Sequence, residues 1–332
     1  VELLDILMMP VMGKPAWAWA AFMTLVVALL VLDLGVLHRK THEISIPESL
    51  KLSAFYIAVA LAYGGWVWWY LGDTAGMNYL TAYFVEKSLS LDNVFVISLV
   101  FTYFAIPRLY QHRVLFWGIL GVIFLRGIMI GAGAALIEQF HWILYLFGGF
   151  LIITGIKMLI ASGDDEPDMS KNKVIAFLRR HLRVTDQLHG DKFWVRQPDP
   201  KTGHSIRWAT PLFLALVVVE ISDLVFAVDS VPAVFAITTD PFVVYTSNIF
   251  AILGLRALYF ALAAMVHRFE YLKYALAAVL IFIGGKIFYA SFVGKVPALI
   301  SLGVTFGLLA AGVVVSLLRT KPDEASEKGG SV

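Results

Sequence analysis

Long apolar runs recur along this chain, and they leave few folds open to it. A helix needs roughly 20 apolar residues to cross the hydrocarbon core of a bilayer. Nine stretches reach or approach that length: 16–37, 52–71, 79–104, 114–137, 142–160, 211–237, 242–266, 271–291 and 296–318. Each is far longer than the roughly 10-residue alternating strands of a membrane barrel. The predicted class is therefore an all-α polytopic membrane protein with about nine transmembrane helices. Composition agrees, because 59% of residues are hydrophobic and only 15% charged, against roughly 45–50% and 25% in soluble domains. The first run is long enough to remain as a span, and no cleavable signal peptide is expected.

Several function classes drop out early. There is no cysteine, which removes disulfides, thiolate metal sites and cysteine nucleophiles. A net charge of +2, with no arginine-rich arm, gives no sign of a nucleic-acid partner. No G-x-x-x-x-G-K-[ST] loop occurs, so ATP is not the expected energy source. No nucleophile–base pair or histidine-rich cluster stands out, and an enzyme is not expected.

Lysines and arginines in the connections orient the spans. Alternate connections carry Arg39, Lys40 and Lys51, then Arg108 and Arg113, nine basic residues in 161–209, then Arg268 and Lys273, and the tail carries Arg319, Lys321 and Lys328. The other side holds only Lys14 and Lys295. This alternation predicts an N-terminus outside and a C-terminus in the cytoplasm of a bacterial inner membrane. Within 161–209, "KNKVIAFLRRHLRV" has the apolar spacing of a helix lying on the membrane surface. "KFWVRQPDPKTGHSIRW" reads as two short strands around a Pro/Gly turn. The tail "KPDEASEKGGSV" has a disordered composition.

The chain also repeats itself. "YLFGGFLIITGIKMLIAS" (145–162) aligns without gaps on "YALAAVLIFIGGKIFYAS" (274–291), and "FLRG" around Arg126 corresponds to "GLRA" around Arg256. One span earlier in each copy lies an acidic stretch, "EKSLSLDN" (86–93) and "EISDLVFAVDS" (220–230). Three spans per copy is an odd number, so the copies would be inverted, a construction frequent in secondary transporters. The expected organisation is two helices in 1–78, one repeat in 79–160, a cytoplasmic connection in 161–209, the second repeat in 210–291, and a final helix with tail in 292–332.

The intramembrane charges are Glu86, Asp92, Glu220, Asp223 and Asp229 against Lys87, Arg126 and Arg256. Five uncompensated acids would cost on the order of 12–17 kcal/mol on insertion scales, so partners are required. Ion pairs to Arg126 and Arg256 could satisfy some of them, but three bases leave an excess of about two negative charges. A divalent cation or two protons would neutralise it. Glu86 to Asp92 and Asp223 to Asp229 are both i, i+6, a rotation near 240° on a regular helix. Convergence then needs local unwinding, for which Pro232 is the expected cause. Asn93, Ser230 and Ser88 would add oxygen ligands, and Asn248 faces the path in this reading. Two repeat registers remain open, one pairing Glu86 with Asp223 and one pairing it with Glu220. With no imidazole or thiolate at mid-membrane, harder cations such as Mn²⁺, Ca²⁺ or Mg²⁺ fit best. Met129 and Met158 read as packing residues, and Asp33 as an interfacial cap.

The segments "VEKSLSLDNVFV", "LRGIMI", "FGGFLIITGIKM", "FLRRHLRVTDQ" and "VEISDLVFAVDSVPAVFAITTDPFVVYTSNIFAILGLRALYF" resemble the TerC family, in particular its Alx-type members, within the LysE-like transporter superfamily. The resemblance runs from about residue 15 to 318. It implies an inner-membrane manganese exporter whose metal ligands would be Glu86, Asp92, Asp223 and Asp229, with Glu220 close by. On the residue pattern alone, Asn93, Ser230, Ser88, Arg126, Arg256 and Asn248 join them along the path. Manganese(II) would be cargo, with no permanently bound cofactor, and protons or the membrane potential would drive export. The expected partners are the divalent ion, the bilayer and, as an open point, a second copy of the chain. The alternatives are a non-transporting protein for metal delivery or resistance-complex assembly, and an exporter of calcium or another small cation.

Overall fold

The computed structural model describes residues 5, 7–33, 45–160, 173–198, 204–262, 271–294 and 296–319, apart from the side chains of Asp92 and Arg256. Its helices are α1 (Ala16–Leu32), α2 (Ile46–Leu71), α3 (Asp73–Tyr103), α4 (Arg108–Gln139), α5 (Ile143–Ile160), α6 (Lys173–His181), α7 (Pro211–Ile237), α8 (Pro241–Leu262), α9 (Leu272–Phe292) and α10 (Ala298–Arg319). Two small antiparallel hairpins complete it: β1 (Pro10–Val11) with β2 (Lys14–Pro15), and β3 (Trp194–Pro198) with β4 (Ser205–Ala209). A helix and two paired strands stand where they were read in 161–209, and the turn between the strands lies outside the described residues. The tail beyond 319 and the ends of the first and seventh predicted spans lie outside the described residues.

Among the described residues, six helices are long and apolar enough to cross a membrane: α2, α4, α5, α7, α9 and α10. Helices α1 and α8 form shorter apolar segments. The 31-residue α3 is not among the six, because Glu86, Lys87 and Asp92 interrupt its apolar run. The chain is an all-α multi-pass protein.

Local chemistry explains where the helices begin. Helix α2 starts at Ile46, six residues before its apolar run. The Ser45 hydroxyl accepts from the Glu48 N–H while the Glu48 carboxylate accepts from the Ser45 N–H, a reciprocal cap that stabilises the polar first turn. Gly72, at φ 90°, turns the chain directly from α2 into α3, a conformation that favours glycine.

Four helices make the centre. Helices α3 and α4 do not pack side by side; each packs against both α7 and α8 instead. Helix α2 covers α3 and α8, and α10 covers α3 and α9. On the other flank α5 packs antiparallel to α9. A Cβ on Gly155 would fall 2.7 Å from the Ala277 carbonyl oxygen, and one on Gly284 would fall 2.6 Å from that of Gly148. Glycine at those positions lets the two backbones touch, as at other membrane helix interfaces. Met129 and Met158 pack against an apolar core, as expected. Asp33 stands at the C-cap of α1 and is buried within the protein.

The expected unwinding does not occur. Helix α3 is continuous through 86–92, and α7 is continuous through 223–229 with Pro232 inside it. Packing of α7 against α3, α4, α5 and α9 holds the helix across the proline, as neighbouring helices do in other membrane bundles.

Candidate functional site

Because the helices are regular, residues seven apart share a face. On α3 that pairs Glu86 with Asn93, and on α7 it pairs Asp223 with Ser230. Both faces meet the Arg126 side chain on α4, which is 1% exposed. Its Nη1 donates to Glu86 Oε1 at 2.5 Å, to Ser230 Oγ at 3.0 Å and to Asn248 Oδ1 on α8 at 2.8 Å. Its Nε and Nη2 donate to the two Asp223 oxygens, each at 3.3 Å. The polar side chains close the circle. Asn248 Nδ2 donates to Glu86 Oε2 at 2.9 Å, and Asn93 Nδ2 donates to Asp223 Oδ1 at 3.0 Å. One guanidinium therefore pairs with a carboxylate from each of two helices, leaving one negative charge in excess, and every central helix contributes to its shell.

The two acids differ in access. Glu86 is 1% exposed, whereas Asp223 is 12% exposed. Asp223 and Asn93 line a cleft of about 520 Å³, mouth included, whose other walls include Ile97, Leu115, Ser222 and Tyr259. Asn93 Oδ1 is buried with no hydrogen-bond partner. The cleft occupies the half of the bundle that also holds α6, the β3–β4 hairpin and the first turn of α7.

Of the other predicted site residues, Asp229 is half-buried and forms no hydrogen bond or ion pair among the described residues. Ser88 adds nothing to the Arg126 cluster. The Asp92 and Arg256 side chains fall outside the described residues. Among the described residues no group of three or more His, Asp or Glu could hold a metal ion. Glu220 sits apart from Arg126. Both of its oxygens are buried without a hydrogen-bond partner, against α4, where a Cβ on Gly121 would come within 2.5 Å of its carboxylate carbon.

One arrangement was not read from the sequence. Lys87 turns away from Glu86, and its ammonium donates to the Ala251 carbonyl at 3.1 Å. A Cβ on Gly254 would lie 2.5 Å from that nitrogen. Glycines on α4 and α8 thus make room for one charged side chain each, Glu220 and Lys87. No signal in the sequence identifies these partners.

Comparison with known proteins agrees with this membrane architecture. The family described as "Integral membrane protein TerC family" matches residues 71–324. A protein of Myxococcus xanthus, "Uncharacterized membrane protein STKORF319", is 47% identical over 319 residues, covering 96% of this chain and 97% of its own length. Proteins named "Putative membrane-bound redox modulator Alx" are 45% identical in Salmonella typhi and 44% in Escherichia coli strain K12, each covering 93% of this chain and 96% of their own length. No solved structure matches the chain. The chain belongs to the TerC family of integral membrane proteins.

Proposed function

We propose that this protein is a secondary transporter that exports manganese(II) from the cytoplasm. The observation that carries the reading is the single buried guanidinium shared by Glu86 and Asp223, the second of which reaches an open cleft. In this arrangement Arg126 occupies the place a substrate cation would need. An ion entering the cleft meets Asp223 and the unpartnered Asn93 oxygen. To bind, it must draw Asp223 away from Arg126, which keeps Glu86, Ser230 and Asn248 as partners. In the empty carrier Arg126 then remains as the partner of both Glu86 and Asp223. Such an exchange of an internal cation for an external one suits a carrier that must return unloaded. Carboxylate, amide and hydroxyl oxygens favour a hard divalent ion, and manganese within that class comes from the family resemblance.

The repeat geometry supports an alternating carrier. With 145–162 aligned on 274–291, Gly148 corresponds to Ala277 and Gly155 to Gly284. The Gly148–Gly284 contact then maps onto the Ala277–Gly155 contact, as a two-fold axis in the membrane plane would require. Glu86 and Asp223 both accept from Arg126, which favours the register that pairs them. Basic connections orient the cleft toward the cytoplasm, the side from which an exporter loads. The redox wording in the names of the Alx relatives finds no thiol to act through, since this chain has no cysteine.

The test is the manganese content of a manganese-sensitive bacterium expressing the protein. Wild type should lower it, and Asp223→Asn should abolish the effect at equal expression. Equal manganese in cells carrying wild type and Asp223→Asn overturns the reading.

A further inference from the structure

The β3–β4 hairpin places two like charges where a sheet least favours them. Its register pairs Trp194 with Ala209, Arg196 with Arg207, and Pro198 with Ser205. Trp194, Arg196 and Pro198 form the exposed face of β3, and Ser205 and Arg207 continue it on β4. Directly opposite residues hold their Cβ atoms roughly 4.5–5.5 Å apart, and like charges there are destabilising. Neither arginine has an acidic partner among the described residues. The described surroundings do not compensate. The described parts of 173–209 hold seven Lys and Arg against two Asp, and one of those, Asp191, is paired with Arg113.

The hairpin's mounting says where this pair sits. The Thr210 hydroxyl donates to the Lys192 and Phe193 carbonyls at 2.7 and 3.2 Å, tying the hairpin to the first turn of α7. The guanidinium of Arg113, from the first turns of α4, lies 5.4 Å from the centre of the Phe193 ring. The Trp194 ring, 44% exposed, packs 4.5 Å from the ring of Phe213 in that first α7 turn. A tryptophan at the end of a spanning helix belongs at headgroup level. Two residues farther along the strand, about 7 Å out, come the paired arginines. That is the reach from the acyl–glycerol boundary to a lipid phosphate, and guanidinium forks match phosphate oxygens in pairs.

We propose that Arg196 and Arg207 together bind the phosphate of one anionic phospholipid at the bilayer surface, with Trp194 against its glycerol region. The bound phosphate removes the repulsion across the hairpin and fixes it against the ends of α4 and α7, beside the half of the bundle that holds the cleft. This site does not depend on what the protein transports.

The experiment is native mass spectrometry of the delipidated full chain titrated with phosphatidylglycerol or phosphatidylcholine. Wild type should retain phosphatidylglycerol preferentially. Arg196→Gln and Arg207→Gln should each weaken it about fivefold, and the double variant about twenty-fivefold, from the usual attraction of one basic residue to an anionic surface. Arg179→Gln/Arg180→Gln removes equal charge from exposed positions on α6 and should change little. No variant should melt below wild type in phosphatidylcholine, since the substituted side chains are exposed and the hairpin changes remove a like-charge contact. Three results would overturn the proposal: equal retention of both lipids, an equal loss from the α6 variant, or displacement of the lipid by millimolar glycerol phosphate. The last would point to a site for a soluble phosphate ester.

Discussion

Replacing Arg126 by Met is the most informative single change. Methionine has a similar reach and fills the space, so the loss is electrostatic. The guanidinium makes five hydrogen bonds to Glu86, Asp223, Ser230 and Asn248. Without it, Glu86 keeps only the Asn248 amide and Asp223 only the Asn93 amide. Removing one partner of a buried ion pair costs about 3–5 kcal/mol, because the remaining charge is left uncompensated. Here two carboxylates are stranded, so the upper half of that range is expected. Neutralising one acid should relieve part of the penalty. Arg126→Met combined with Glu86→Gln should be less destabilised than the sum of the two single changes by at least about 1.5 kcal/mol, within the usual range for residues in contact. Reversible unfolding in mixed detergent micelles, run on all four members of the cycle, measures this. An Arg126→Met protein within about 1 kcal/mol of wild type would refute the reasoning, since a buried pair cannot be broken so cheaply. Strict additivity would refute it too, by showing that Glu86 does not depend on Arg126.

The glycine seam and the exposed glycines should respond oppositely. Gly155→Leu should destabilise by about 1–3 kcal/mol through overpacking, whereas Gly303→Ala and Gly307→Ala, where a Cβ meets nothing within 4 Å, should be neutral or stabilising by up to about 1 kcal/mol. The same unfolding assay separates them. Gly121→Val should drive the Glu220 carboxylate from its notch at a similar cost, and adding Glu220→Ala should restore part of the loss, which a second thermodynamic cycle reads directly. The ion pair between Lys14 and Asp240 at 2.9 Å, with side chains 21% and 27% exposed, should matter little. Lys14→Gln should cost under about 1 kcal/mol, and less still as salt is raised.

Much of the architecture was legible in the residues themselves. A bilayer leaves backbone groups no partner except their own helix, so run length located the six helices that are long and apolar enough to span, and apolar spacing with turn residues located α6 and the β3–β4 pair. The early start of α2 was legible too, in Ser45 and Glu48, but it is a capping signal and not an apolar one. Arg126 stood out as a buried base and Asn248 as a candidate polar residue. The i, i+7 relation of Glu86 to Asn93 and of Asp223 to Ser230 was present in the chain, although the acids alone drew the eye to i, i+6.

What the chain alone left open was convergence. Pro232 suggested a broken helix, yet packing on four neighbours keeps α7 whole, and that regularity sends Asp223 toward Arg126 while Asp229 points elsewhere. Nothing local says that one arginine serves acids from two helices, or that Gly121 faces Glu220 and Gly254 faces Lys87. Those facts depend on which helices cross, and in a membrane that choice rests on close packing between distant segments, with little hydrophobic bias to announce it. Hydrophobic length therefore determined the six long apolar helices, and interhelical contact alone decided which charges meet.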